Sequence, residues 1–171
     1  PISGSPEYAE VVQDLLFGKG HPVVLEKRVR TAHTPGGTGG LRVGAELLKK
    51  YVPAARVWLS SPTWPNHKGI FAAAGFKTED YPYYNAASHG LDFGAMCDTL
   101  KRVPKNDIVV FHVCCHNPTG NDLSGDQWSE VAAIARAQQW IPFLDFAYQG
   151  LGEGIAEDQK GLLTMLGAGV E

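Results

Sequence analysis

The sequence predicts an α/β fold, a mostly parallel sheet with helices on both faces in three α/β/α layers. Two observations carry this. Strand-like segments alternate with segments of helical periodicity along the whole chain. Polar or glycine-rich groups repeatedly follow the strand ends, where open α/β sheets bind ligands. The rest is arranged around Ile141-Pro142-Phe143-Leu144-Asp145-Phe146-Ala147-Tyr148. Its apolar run has the length of a buried parallel strand and stops at an acid. A carboxylate there needs a cation or hydrogen-bond donors to meet it. Tyr148 adds a hydroxyl three residues on. An aspartate capping the next helix or turn accounts for the same residues.

Composition narrows the class. The 171 residues suffice for one domain with a real core. A 44% hydrophobic content fits a globular protein and argues against disorder. No apolar run approaches a membrane span, so no membrane partner is expected. A net charge of −3 gives no basic footprint for nucleic acid. No signal-peptide pattern opens the chain. Three cysteines, with Cys114 and Cys115 adjacent, point to a reduced, cytoplasmic setting. Pro1 stands directly before a helix, and Glu171 stands where another strand is due. The chain is therefore expected to be a fragment.

Ser5-Pro6-Glu7 supplies a cap, a proline at the first helical position and an acid. Tyr8, Val11, Val12, Leu15 and Leu16 continue that helix to Gly18. Val29 to Thr34 is expected to be a short strand. Pro35-Gly36-Gly37-Thr38-Gly39-Gly40 follows, then Leu41, Ala45, Leu48 and Val52 at helical spacing. A glycine-rich turn entering a helix offers free N–H groups to an anion, and Thr38 adds a hydroxyl. Neither the dinucleotide nor the Walker pattern is met. A flexible turn is the plainer alternative. Arg56 to Ser60 is the next strand. Pro62 and Pro65 stiffen the backbone around Trp64, a stacking platform or a core tryptophan. His67 opens a helix through Ala74.

Lys77 to Tyr83 is expected as a strand, Asn85 to Gly90 as a turn and Asp92 to Val103 as a helix. Asp107 to Cys115 has the pattern of a buried strand, ending in His116-Asn117-Pro118-Thr119-Gly120. His112, Cys114, Cys115 and His116 invite a zinc reading. Neighbouring strand residues point to opposite faces, however, and no second C-x-x-C exists, so no metal site is expected. Asn117 is held out of helical geometry by Pro118, which turns its amide toward the strand-end crevice; an ordinary Asn-Pro turn is the alternative. Ser124 to Gln139 is a helix, the Asp145 strand follows, and Gly161 to Leu166 forms a last short helix.

Together these segments offer an anion-binding helix start, a stacking ring, an amide, a carboxylate and a phenol. That set suits a flat aromatic cation with a phosphate tail and a ring oxygen. The chain resembles the large domain of class I, fold-type I, pyridoxal-phosphate aminotransferases, most of all the aspartate and aromatic amino-acid branch. The resemblance rests on Thr34-Pro35-Gly36-Gly37-Thr38-Gly39, Pro62-Thr63-Trp64-Pro65-Asn66-His67, Cys114-Cys115-His116-Asn117-Pro118-Thr119-Gly120 and Asp145-Phe146-Ala147-Tyr148-Gln149-Gly150. Each is modest alone; four in this order are specific.

The resemblance implies pyridoxal 5'-phosphate as cofactor, with Gly36, Gly37 and Thr38 on its phosphate. Trp64 would stack on the pyridine ring and touch the substrate. Asn117 and Tyr148 would bond the ring's 3'-oxygen, and Asn117 the substrate carboxylate as well. Asp145 would pair with the pyridine nitrogen, keeping the ring cationic as an electron sink. His67 would lie behind Asp145, and His112 near the cofactor face. The implied substrates are an L-amino acid and a 2-oxo acid, and the implied assembly is a homodimer. The family's Schiff-base lysine is expected beyond Glu171, so residues 1–171 are expected to be a partial large domain, without the small domain and inactive alone. The alternative is a non-catalytic α/β module that binds a phosphorylated ligand.

Overall fold

The computed structural model describes residues 2–170. Pro1 and Glu171, on which the expectation of cut ends rests, lie outside the described residues. Four parallel strands form the central sheet: β1 (Arg56–Ser61), β2 (Lys77–Pro82), β5 (Ile108–His112) and β6 (Ile141–Asp145), in the order β2-β1-β5-β6. A two-residue hairpin, β3 (Tyr84–Asn85) and β4 (Gly90–Leu91), stands where a plain turn was expected.

Side-chain alternation along the strands builds a core on each face. On one face Val57, Leu59, Ile108 and Val110 pack with Ala45 of α3 (Gly36–Tyr51) and Phe71 of α4 (Asn66–Ala73). On the other, Val109 and Phe111 meet Met96 and Leu100 of α5 (Phe93–Leu100) and Trp128 and Val131 of α6 (Gly125–Gln138). Met165 of α7 (Lys160–Gly167) closes that side. Each fully buried Leu or Phe stabilises by roughly 1.5–3 kcal/mol relative to exposure. All the strands of this sheet run one way, so their carboxyl ends share an edge. The chain winds from β1 outward to β2, then crosses to β5 on β1's other side. The crevice where that direction reverses is the ligand position of such sheets.

The first helix, α1 (Pro6–Phe17), starts as expected: Ser5 Oγ accepts the Tyr8 N–H at 3.1 Å, and Gly18 ends it with φ +86°. Sequence reading missed α2 (Pro22–Leu25). It also placed a strand at Val29 to Thr34, and there is none. A strand needs a ladder partner. This stretch instead lies over the β6 side, where Val29 and Arg30 border the same cavity as Leu144, tied by His33 N–H to Ser3 O and by Gln13 to Thr31 Oγ1. The glycine-rich segment is likewise no separate turn: α3 begins at Gly36, so the glycines form its first coils. Gly44, further along α3, lies against the sheet; a Cβ there would stand 2.9 Å from the Phe143 ring.

Candidate functional site

The carboxyl edge of the sheet gathers residues far apart in sequence. Gly37, Thr38, Trp64, His112, Asn117, Asp145 and Tyr148 line one pocket, with Leu41, Cys114 and Ala147 completing its wall. Gly36 is the first residue of α3, just outside that lining, and has φ +71°, a conformation that favours glycine. His67 is fully buried behind the pocket.

Each wall has a local cause. The start of α3 has no side-chain cap, because Pro35 stands in the capping position. Its first N–H groups are therefore available to an anion, aided by the helix dipole. By contrast, Ser124 and Gln127 cap α6 reciprocally, with Gln127 N–H on Ser124 Oγ and Ser124 N–H on Gln127 Oε1. Trp64 sits between β1 and α4, its ring edge-on to His67 at 5.5 Å. Asn117 lies in the turn after β5; the bonds Ser61–Pro62 and Asn117–Pro118 are both cis. Asp145 is the last residue of β6, and Tyr148 follows it half-exposed.

Behind the wall a chain of hydrogen bonds leads to Asp145. His67 Nε2 is 2.8 Å from Asp145 Oδ2, and His67 Nδ1 is 2.7 Å from Thr63 Oγ1. Thr63 Oγ1 also meets His112 Nε2 at 3.1 Å, and the Asn117 N–H reaches His112 Nδ1 at 3.4 Å. Burial, then the neighbouring His67, lowers the His112 pKa to about 4, although Asp145 opposes this. A neutral His112 that accepts at Nδ1 must donate from Nε2 to Thr63. The threonine hydroxyl is then free to donate to His67 Nδ1, and His67 Nε2–H donates to Asp145. The bonds so run one way, from the Asn117 backbone to the carboxylate.

A second histidine braces this chain. His116 stacks on Tyr83 at 3.9 Å and lies 4.3 Å from the His112 ring. Its ring nitrogens meet Ser60 Oγ and Thr119 Oγ1, each at 2.9 Å. Burial first, then His112, lowers its pKa to about 3. Asp122 fixes the turn by accepting the Cys115 and His116 N–H groups at 2.7 and 2.8 Å. His116 therefore serves as a packed, doubly bonded brace. Among the described residues no group of three or more His, Cys, Asp or Glu is arranged for a metal ion. Cys114 lines the pocket instead.

Apart from the zinc reading set aside for Cys114 and His116, sequence reasoning gave no role to Thr63, His116 or Cys114. Thr63 and His116 lay within quoted motifs, but their roles depend on β1 and β5 being neighbours. Chemically, the pocket combines an anion-binding helix start, a carboxylate and an indole ring. These donors fit an elongated, flat, cationic ring carrying a phosphate. Among the described residues no lysine lines the pocket, and no helix is long and apolar enough to cross a membrane.

Comparison with known proteins agrees with this geometry. The family model described as aminotransferase class I and II matches residues 1–167. An aspartate aminotransferase of Salmonella typhi is 50% identical over 161 residues, 94% of this chain and 41% of the relative. An aromatic-amino-acid aminotransferase of Escherichia coli is 48% identical over 170 residues, 99% of this chain and 43% of the relative. A crystal structure of the aromatic-amino-acid aminotransferase from Burkholderia pseudomallei, covalently bound to pyridoxal phosphate, superposes with a TM-score of 0.98 at 43% identity, over 99% of this chain and 43% of that one. The chain thus spans about two fifths of the length of the curated relatives it matches.

Proposed function

Because the chain belongs to the class I and II aminotransferase family, we propose that the whole protein transfers an amino group from an L-amino acid to a 2-oxo acid with pyridoxal 5'-phosphate as cofactor. Residues 1–171 form part of its large, cofactor-binding domain. The observation that carries the reading is Asp145: a carboxylate at a strand's carboxyl end, backed by His67 and facing the uncapped start of α3 across one pocket.

The cofactor, when bound, supplies an electron sink for the bond broken at the substrate's α-carbon. The residues here bind and orient. Gly36, Gly37 and Thr38 hold the phosphate on the first N–H groups of α3. Trp64 covers the ring face and touches substrate. Asp145 holds a proton on the pyridine nitrogen, and His67 keeps that carboxylate aimed through its 2.8 Å hydrogen bond. Asn117 and Tyr148 donate to the ring oxygen, and Asn117 also meets the substrate carboxylate. His112 orients Thr63 and, through it, His67.

Relatives named for aspartate and for aromatic amino acids stand at nearly equal identity, which supports both as candidate donors. A homodimer is proposed; exposed Val11 and Leu15 on α1 and Val43, Leu47 and Tyr51 on α3 support a covered face. A cytoplasmic location is supported by the free thiols at Cys97, Cys114 and Cys115. The test is to titrate the whole protein with pyridoxal phosphate while following visible absorbance. L-aspartate and L-tyrosine are then assayed against 2-oxoglutarate. Uptake with turnover of either donor supports the reading, and no uptake refutes it. Residues 1–171 alone are expected to give no turnover.

A further inference from the structure

The loop after Tyr148 is wrapped around one buried carboxylate that the proposed chemistry does not use. Asp158 accepts the N–H groups of Gly150 at 2.8 Å, Gly152 at 3.0 Å and Glu153 at 2.8 Å. Gly150 takes φ +89°, and a Cβ on Gly152 would stand 2.7 Å from Asp158 Oδ1. The Gly-Leu-Gly that follows Gln149 is thus what lets the backbone close over the acid. The Leu151 N–H returns to Tyr148 O at 3.0 Å, so the turn that Asp158 holds begins at the phenol-bearing residue itself. Gln149 ties the other side, its Nε2 donating to Leu15 O at 2.8 Å and Ile155 O at 3.1 Å. Burial opposes ionisation of Asp158, but backbone N–H groups outweigh it and hold the carboxyl below its ordinary range. Tyr148 itself is 38% exposed.

We propose that Asp158 is the positioning residue of Tyr148: its carboxylate gathers the backbone of residues 150–153 and thereby sets where the phenol stands in the pocket. The inference rests on the reading of Tyr148 as a group that meets the cofactor. Asp158 is not part of the pocket wall. A neutral carboxamide keeps one acceptor oxygen, loses the charge and cannot serve three donors equally well.

The test compares the whole protein with its Asp158→Asn, Tyr148→Phe and doubly substituted variants, and with Gly152→Ala, which crowds the carboxylate while leaving its charge. Without cofactor, amide exchange at Gly150, Gly152 and Glu153 is expected to quicken by about tenfold in Asp158→Asn, the loss of one hydrogen bond's worth of protection. A fluorotyrosine at position 148 should show a displaced or broadened resonance in the same variant. With pyridoxal phosphate bound, the pH midpoint of the visible band should move in the direction given by Tyr148→Phe. In the double variant it should move no further than in Tyr148→Phe alone. Shifts that add, or a resonance at 148 that stays put while exchange quickens, overturn the proposal and leave Asp158 a plain loop staple. If Asp158→Asn does not fold, Gly152→Ala decides by the same readouts. If the wild-type protein takes up no cofactor, the functional reading fails, and the exchange and resonance arms still judge Asp158.

Discussion

Asp107 and Asp145 are both acids at strand ends, on opposite edges of the same sheet. Asp107 precedes β5 at the amino edge and is 6% exposed. It receives the Arg56 N–H at 2.9 Å, Arg56 Nε at 3.0 Å and Trp58 Nε1 at 2.9 Å. Its oxygens are spent on holding β1 beside β5. Asp145 closes β6 at the carboxyl edge, and among the described residues His67 alone donates to its side chain. Asp145 also lines the pocket. Burial alone therefore does not mark a functional acid; a carboxylate supplied with fewer donors than it can accept does.

The comparison breaks most visibly at Asp145. In the whole protein, Asp145→Ala is expected to lower kcat/KM by about a hundredfold to a thousandfold, the usual loss when a preorganised charge is removed from a site. Urea titration should show a loss of only about 1 kcal/mol, for the single His67 N–H left without its acceptor, less than at Asp107. A collapse of the fold with equal loss of both would end the distinction. Asp107→Ala is expected to do the reverse. It strands the Trp58 indole N–H and the Arg56 N–H, at a cost of about 3 kcal/mol. The partly exposed Arg56 guanidinium adds little. Urea titration reads the loss, and cofactor uptake by the folded fraction should be unchanged.

Acid sharpens the comparison from a different side. His112 and His116 have folded pKa values of about 4 and about 3, below the ordinary 6.5. Lowered values stabilise in full above the unfolded pKa, and that contribution is lost as pH falls through the folded ones. Stability should therefore drop from about pH 6.5 down to about pH 3, by several kcal/mol for the two histidines together. His116→Gln should flatten the slope in urea titrations across that window. The smallest effect expected is at His67. His67→Asn removes Asp145's backing while leaving the carboxylate, and should lower kcat/KM about tenfold, as when a ligand's supporting partner is lost. An effect as large as that of Asp145→Ala would give His67 a direct role.

Much of this arrangement was legible. The β6 run ending at Asp145 and the β5 run ending before Asn117 show their type through uninterrupted apolar residues, and the cap of α1 through Ser5-Pro6. Gly37, Thr38, Trp64, Asn117, Asp145 and Tyr148 stood out because they follow strand ends that must converge in such a sheet, whereas the places of His67 and His112 came only with the family resemblance. What the sequence could not display was tertiary. Val29 to Thr34 has strand composition but meets no ladder partner. The roles of Thr63 and His116 exist only because β1 and β5 are neighbours. The glycines of α3 have turn chemistry locally, yet they are drawn into helix because Leu41 and Ala45 behind them are anchored in the core.

The close approach of Gly44 to Phe143 has one more consequence. Phe143 lies two residues before Asp145 on β6, and its ring is braced edge-on by Phe71 at 5.4 Å. Gly44 lies eight residues into the helix whose start lines the same pocket as Asp145. The missing methyl at Gly44 is therefore a ruler: it fixes how far the helix start stands from the carboxylate. A methyl there would push the helix off the ring and lengthen that span.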